Sequence, residues 1–165
     1  MKHKIACLLV IGLCQCLFGQ QNNLQGFAPL VNKTWTAQGY WGDGTPFKQE
    51  IEHTFALDST LVITKTKGYT DKKQQVFGNR NHGIRQVDTA TETILFWEFD
   101  VFGGLTKGTV LFQEKNIIYQ YTYGDSVITD FWEYVNPETY NYTVGSFENG
   151  KWKQKYLQTT FKVKK

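Results

Sequence analysis

Only a few side chains in this sequence combine an ionisable or strongly hydrogen-bonding group with an apolar setting. His53 is the first. In Phe47–Leu57, residues Phe47, Ile51, His53, Phe55 and Leu57 share one parity, and Lys48, Glu50, Glu52 and Thr54 the other. An imidazole on the apolar parity is either a core histidine satisfied by a tyrosine or a carbonyl, or a pocket hydrogen-bonder or general base with a pKa near neutrality. Asp130 shares its parity with Ile128, Trp132 and Tyr134. A carboxylate among rings must be paired or shifted in pKa if it is buried. Val127, Phe131 and Val135 make the opposite parity equally apolar, so the pattern leaves its side open. Pointing inward, it would meet His53 or Arg85. Arg85 follows His82 at the end of a long polar stretch, and reads either as a bidentate holder of a ligand carboxylate or as part of a solvated loop.

Around these stand the rings. Tyr119, Tyr121 and Tyr123 recur at period two, with Tyr140 and Tyr142 later in the chain, and Trp35, Trp41, Trp97 and Trp132 add the largest apolar areas. Such stripes serve as an aromatic ligand wall or as simple core filling. The ligand-binding set expected is Trp35, Trp41, His53, Arg85, Trp97, Tyr119, Tyr121, Asp130 and Trp132. No residue is assigned as catalytic or as a metal ligand, and no cofactor is expected. Histidines are few and scattered, and no metal-ligand spacing, P-loop, dinucleotide fingerprint or nucleophile elbow occurs.

The elements that position these residues are strands. Period-two runs are predicted at Thr34–Gly42, Phe47–Leu57, Thr60–Tyr69, Gly83–Asp88, Ile94–Asp100, Leu105–Phe112, Ile117–Tyr123, Val127–Val135, Tyr140–Phe147 and Lys151–Lys164, parted by turns such as Asp43-Gly44, Gly103-Gly104 and Asn149-Gly150. Thr70–Asn81 is the longest polar gap. Phe27–Val31 is expected to form a short helical turn plugging one end of the sheet, after a loose Gln20–Gly26. Tight hairpins favour up-and-down order, and about ten antiparallel strands avoid two open edges only by closing. The expectation is all-β: a single closed antiparallel up-and-down barrel, with at most one short helix. Parity on Phe47–Leu57 then points the odd residues inward, including Trp35, Trp41, Tyr119, Tyr121 and Tyr123. Burial should keep His53 neutral with a lowered pKa.

Met1–Gly19 reads as a signal peptide, with Lys2 and Lys4 before an apolar run at Ile5–Leu13. Its end, Phe18-Gly19-Gln20-Gln21, resembles that of exported bacterial proteins. Residues 20–165 would be the barrel domain, periplasmic or secreted, without membrane insertion after cleavage. Cys7, Cys14 and Cys16 all lie in the leader, so no disulfide would support the rest. Removing Lys2 and Lys4 from 18 Lys+Arg leaves 16 against 15 Asp+Glu. That near-neutral balance argues against a nucleic-acid partner, which needs a basic face, and the expected state is a monomer or weak dimer.

Leu30–Trp41 resembles the opening Gly-x-Trp strand of the calycin superfamily, which spans lipocalins, fatty-acid-binding proteins and nitrobindin-type barrels, with Lys33 where lipocalins carry glycine. The whole pattern also resembles secreted bacterial lipocalin-like domains of unknown function. The resemblance implies a ligand-holding barrel, with a cation from Lys162–Lys165 packed over Trp35. The haem-binding histidine of nitrobindins, near the C-terminus, has no counterpart, since no histidine follows His82. The function expected is binding of a small, partly apolar ligand inside the barrel. The alternatives are an enzyme using His53, Asp130 or Arg85, and a filled envelope protein without a ligand.

Overall fold

The structure, a computed structural model, describes residues 23–165. Met1–Gly19, read above as a signal peptide, lies outside the described residues. Ten strands follow one another: β1 (Thr34–Tyr40), β2 (Pro46–Ala56), β3 (Leu61–Tyr69), β4 (Phe77–Asp88), β5 (Thr93–Asp100), β6 (Leu105–Gln113), β7 (Asn116–Tyr123), β8 (Ser126–Asn136), β9 (Thr139–Glu148) and β10 (Lys151–Val163). Each pairs antiparallel with its neighbours in sequence, and β1 closes on β10, giving a closed up-and-down barrel. The closing seam is thin. Its ladder partners are Trp35 with Val163 and Thr36 with Lys162, and Trp41 adds one bridge to Leu157.

Alternation sets the wall. On β2, Phe47, Ile51 and His53 are buried while Lys48, Glu52 and Thr54 are exposed, so odd residues point inward, as the sequence implies. At the β5–β6 turn, Gly103 takes φ +81° and so supplies the left-handed residue of the reversal. Gly104 serves differently: a Cβ there would strike the Asp100 carboxylate, which accepts the Phe102 and Gly104 N–H groups at 2.8 Å each.

Two boundaries differ from the sequence reading. β4 begins at Phe77, so the last part of the expected polar gap, residues 77–81, is strand. Asn79–His82 carry little strand propensity of their own. They are drawn into the sheet because β3 and β5 offer ladder partners on both sides, with a bulge opposite Thr66 and Lys67. The plug begins earlier than expected, as a 3₁₀ turn at Leu24–Phe27 capped by the Asn23 side chain, which accepts from Gln25 N at 3.0 Å.

The plug closes the end of the barrel where β1 begins. Leu24, Phe27 and Leu30 are buried there against Trp35, Tyr140 and Phe161. Phe27 meets Phe112 edge-on at 5.0 Å. Trp35 Nε1 donates to Leu30 O at 3.0 Å and its ring packs edge-on against Tyr140 at 5.4 Å. The cation over Trp35 is not from the C-terminal lysines. Lys33 supplies it, 5.6 Å from the ring centroid, while donating to Pro29 O and Pro137 O at 3.0 Å each. The lysine in the glycine position thus does the job expected of the last strand, because it leads directly into β1 beside the ring.

Candidate functional site

Inside the barrel, above the plug, lies a cavity of about 110 Å³. Its wall includes His53 from β2, Thr64 and Thr66 from β3, Asn81 and Arg85 from β4, Phe96 and Glu98 from β5, Tyr119 from β7, Asp130 and Trp132 from β8 and Tyr142 from β9. Gln49 lines both this cavity and a wider mouth of about 290 Å³ walled by Trp41, Phe47, Tyr69, Arg80 and Phe102. The site therefore has a polar floor and an entrance where four rings stand beside Lys48, Asp71, Lys72, Gln74 and Arg80.

Arg85 is its centre. The side chain is 4% exposed, and Nη2 is ion-paired to Glu98 Oε1. Nε donates to the Tyr119 hydroxyl at 3.3 Å, and the guanidinium lies 5.2 Å from the Tyr119 ring centroid and 5.8 Å from that of Phe96. Burial works against the charge, but Tyr119 and Glu98 more than offset it, and the guanidinium stays protonated. Gly83 makes the arrangement possible. It faces inward directly across from Glu98, and a Cβ there would overlap both Arg85 Nη1 and the Glu98 carboxylate.

Asp130 points inward, which the pattern of β8 leaves open. It accepts from Tyr142 at 2.8 Å and from Tyr121 at 3.2 Å. Burial raises its pKa to about 6 against the opposing pull of those two hydrogen bonds, with Glu98 adding repulsion. The Tyr142 and Tyr121 hydroxyls are in turn pushed up, first by burial and then by the Asp130 charge. His53 is 2% exposed, stacked at 6.2 Å on Phe27 and edge-on at 6.3 Å to Trp132. Burial, with the Arg85 charge second, lowers its pKa to about 3. The expected neutral histidine is therefore present, and no tyrosine hydroxyl satisfies its Nδ1.

Of the three groups named for the enzyme alternative, Asp130 is the one whose pKa burial moves towards neutrality, to about 6. His53 holds a proton too weakly to cycle there, and Arg85 is locked in its pair. Among the described residues eight buried side-chain polar atoms have no partner, and five of them, His53 Nδ1, Thr64 Oγ1, Asn81 Oδ1, Arg85 Nη1 and Glu98 Oε2, belong to residues that line this cavity, while Gln74 Oε1 and the Thr129 and Tyr140 hydroxyls lie outside it. Buried polar groups are nearly always paired, so five orphans converging on one cavity mark it as a place where something else supplies the partners.

Five of the nine expected site residues form the cavity wall: His53, Arg85, Tyr119, Asp130 and Trp132. Tyr121 stands behind Asp130 as a donor, and Trp41 lines the mouth. Two expectations are corrected. Trp35 packs in the plug rather than on the wall. Trp97 faces outward: Arg85 pairs with Phe96, which puts even residues of β5 inside and sets Trp97 across from the exposed Ile84 and Lys107. Tyr123 has the inward parity but lies past the rim, 76% exposed. His82 is exposed on the outer face of β4. Sequence reasoning missed Glu98, Thr64 and Asn81. The one signal for Glu98 was Gly83, since a glycine inside a strand marks a close approach.

Among the described residues no group of three or more His, Cys, Asp and Glu is placed to hold a metal ion. No protein-family model matches the chain, and no curated protein matches it. Among solved structures it is similar to an S-type phycobiliprotein lyase, CPES, from Guillardia theta, at 10% identity and a TM-score of 0.46 over 83% of this chain and 88% of that one. A likeness so loose carries no argument about what this barrel does.

Proposed function

We propose that this barrel binds a small, partly apolar ligand, taken in through the mouth and held with its polar end on the cavity floor. One observation carries the reading: five unpartnered buried polar atoms line a single cavity that leads to this entrance of rings and charges. Each such orphan costs about 1–3 kcal/mol when left unmade, and a ligand seated among five of them can supply the missing partners. An apolar tail lies naturally against Trp41, Phe47 and Phe102. We further propose that the protein acts outside the cytoplasm, on the strength of the leader Met1–Gly19.

The test is extraction and mass spectrometry of protein purified from its native source, followed by titration of the extracted compound into stripped protein with tryptophan fluorescence as readout. Trp132 on the wall and Trp41 at the mouth should report it. A small molecule in near-stoichiometric amount, rebinding with a fluorescence change, is the expected result. Protein that carries nothing and shows no fluorescence response to its own cell extract would reject the reading. For the location, N-terminal sequencing of the soluble native protein should begin near Gln20, and an intact Met1 would refute export.

A further inference from the structure

We infer that the buried end of the ligand is an electrically neutral group that both donates and accepts hydrogen bonds, such as a vicinal diol, and not a carboxylate, a phosphate or an amine. The inference rests on the ligand-binding reading and names the chemistry of that same site.

The argument starts from what each charged group has left to offer. A guanidinium recognises a carboxylate through two parallel N–H groups. Arg85 has committed one side of its fork, with Nη2 on Glu98 and Nε on Tyr119, and Nη1 is the nitrogen left without a partner. An anion entering the cavity would also face Glu98 and Asp130 on the same wall. An ammonium could donate to Glu98 Oε2, but it offers no acceptor to Arg85 Nη1 and would bring a second cation against that guanidinium. Burying a charge without a partner costs far more than burying a paired polar group.

The unpartnered atoms fit a mixed neutral group instead. Arg85 Nη1 can only donate and Glu98 Oε2 can only accept. Thr64 Oγ1 does either, and a neutral imidazole offers a donor at one nitrogen and an acceptor at the other. A hydroxyl also donates and accepts at once, so two adjacent hydroxyls can answer Arg85 and Glu98 together and leave the ion pair intact. A cavity of about 110 Å³ has room for a head of that size.

The experiment compares three probes with the same eight-carbon chain at pH 7.5: 1-octanoylglycerol, octanoate and octylamine. Each is titrated into the stripped protein and into Thr64→Val, with tryptophan fluorescence as readout. The neutral glyceride should bind at least about tenfold more tightly than either charged probe. Thr64→Val, close to isosteric, should weaken the glyceride about three- to tenfold, the worth of one hydrogen bond, and leave the charged probes unchanged. Equal or tighter binding of octanoate or octylamine would overturn the inference while leaving a ligand-binding barrel. Unchanged glyceride binding by Thr64→Val would overturn it too, since the head would then lie elsewhere. If all three probes fail while the native extract still binds, the neutral-head assignment falls alone; if the extract fails as well, both fall.

Discussion

The two ends of this barrel are made of the same kinds of residue and put to opposite use. At the plugged end Phe27, Leu30, Trp35 and Tyr140 are at most 1% exposed, with Phe27 edge-on to Phe112 and Trp35 edge-on to Tyr140. At the mouth Phe99, Phe102 and Leu105 are about half exposed, and Tyr123 more so. Arg80 lies over Phe102 at 5.1 Å and Lys48 over Phe77 at 4.8 Å, so cations cover rings that no core covers. Ring content is therefore a poor guide to where a barrel is held together. Closure by the segment before β1 is what turns one set of rings into a core. Between the two ends lies the layer of Arg85, Glu98, His53 and Asp130, which neither end satisfies.

The sharpest way to break the comparison is Phe27→Ala. Loss of a fully buried ring should cost about 3–5 kcal/mol in urea unfolding. A cost below 1 kcal/mol would mean that the plug is not a core element. Gly83→Ala comes next, because its methyl group overlaps the Arg85–Glu98 pair. Overpacking of that kind should cost about 1–3 kcal/mol, and unchanged stability would show that the pair can move aside.

The middle layer yields a pH prediction. The His53 pKa is lowered to about 3, so its contribution to stability is complete above its ordinary value of 6.5 and is lost as pH falls through 3. Asp130 is raised to about 6, so its contribution is complete below its ordinary value of 3.8 and is lost as pH rises through 6. Between about pH 4 and 6 the two oppose one another. Relative to the wild type, Asp130→Asn should lose stability more steeply as pH falls from 6 to 4, and His53→Phe should lose it less steeply or gain it. Parallel curves for all three proteins would remove the coupling. His53→Phe should also weaken ligand binding by about 1–3 kcal/mol if Nδ1 touches the ligand. The smallest effect belongs to the mouth: Phe102→Ala should change stability by less than about 1 kcal/mol.

The architecture was legible in the sequence because the side-chain period of a strand is two and β2 keeps it from Phe47 to Phe55, with only Gln49 and His53 polar on the inward parity. That parity alone placed His53 inside, and on β7 it placed Tyr119 and Tyr121. The site was legible only in part. β5 is apolar on both parities, with Ile94 and Phe96 against Leu95, Trp97 and Phe99, so nothing local distinguishes Glu98 from Trp97 as the inward residue. Pairing of Arg85 with Phe96 decides it. Arg85 itself read as a loop-end residue because Asn79–His82 look like loop, and only the flanking strands make them sheet. The plug was placed a few residues late because Leu24 precedes the glycine and the polar residues that disguise it.

The thin seam between β1 and β10 has a consequence for how the barrel comes to exist. Every other strand pairing among the described residues joins neighbours in the chain, so nine hairpins can zip locally at little loop-closure cost. The seam joins Trp35 to Val163, from opposite ends of the sheet, through few ladder partners. It is therefore the contact expected to form last in folding and to open first in unfolding. A chain caught before that step presents two unpaired edges, β1 and β10, and each is complementary to the other edge of a second copy. Crowded refolding should accordingly trap strand-exchanged dimers joined along this one line.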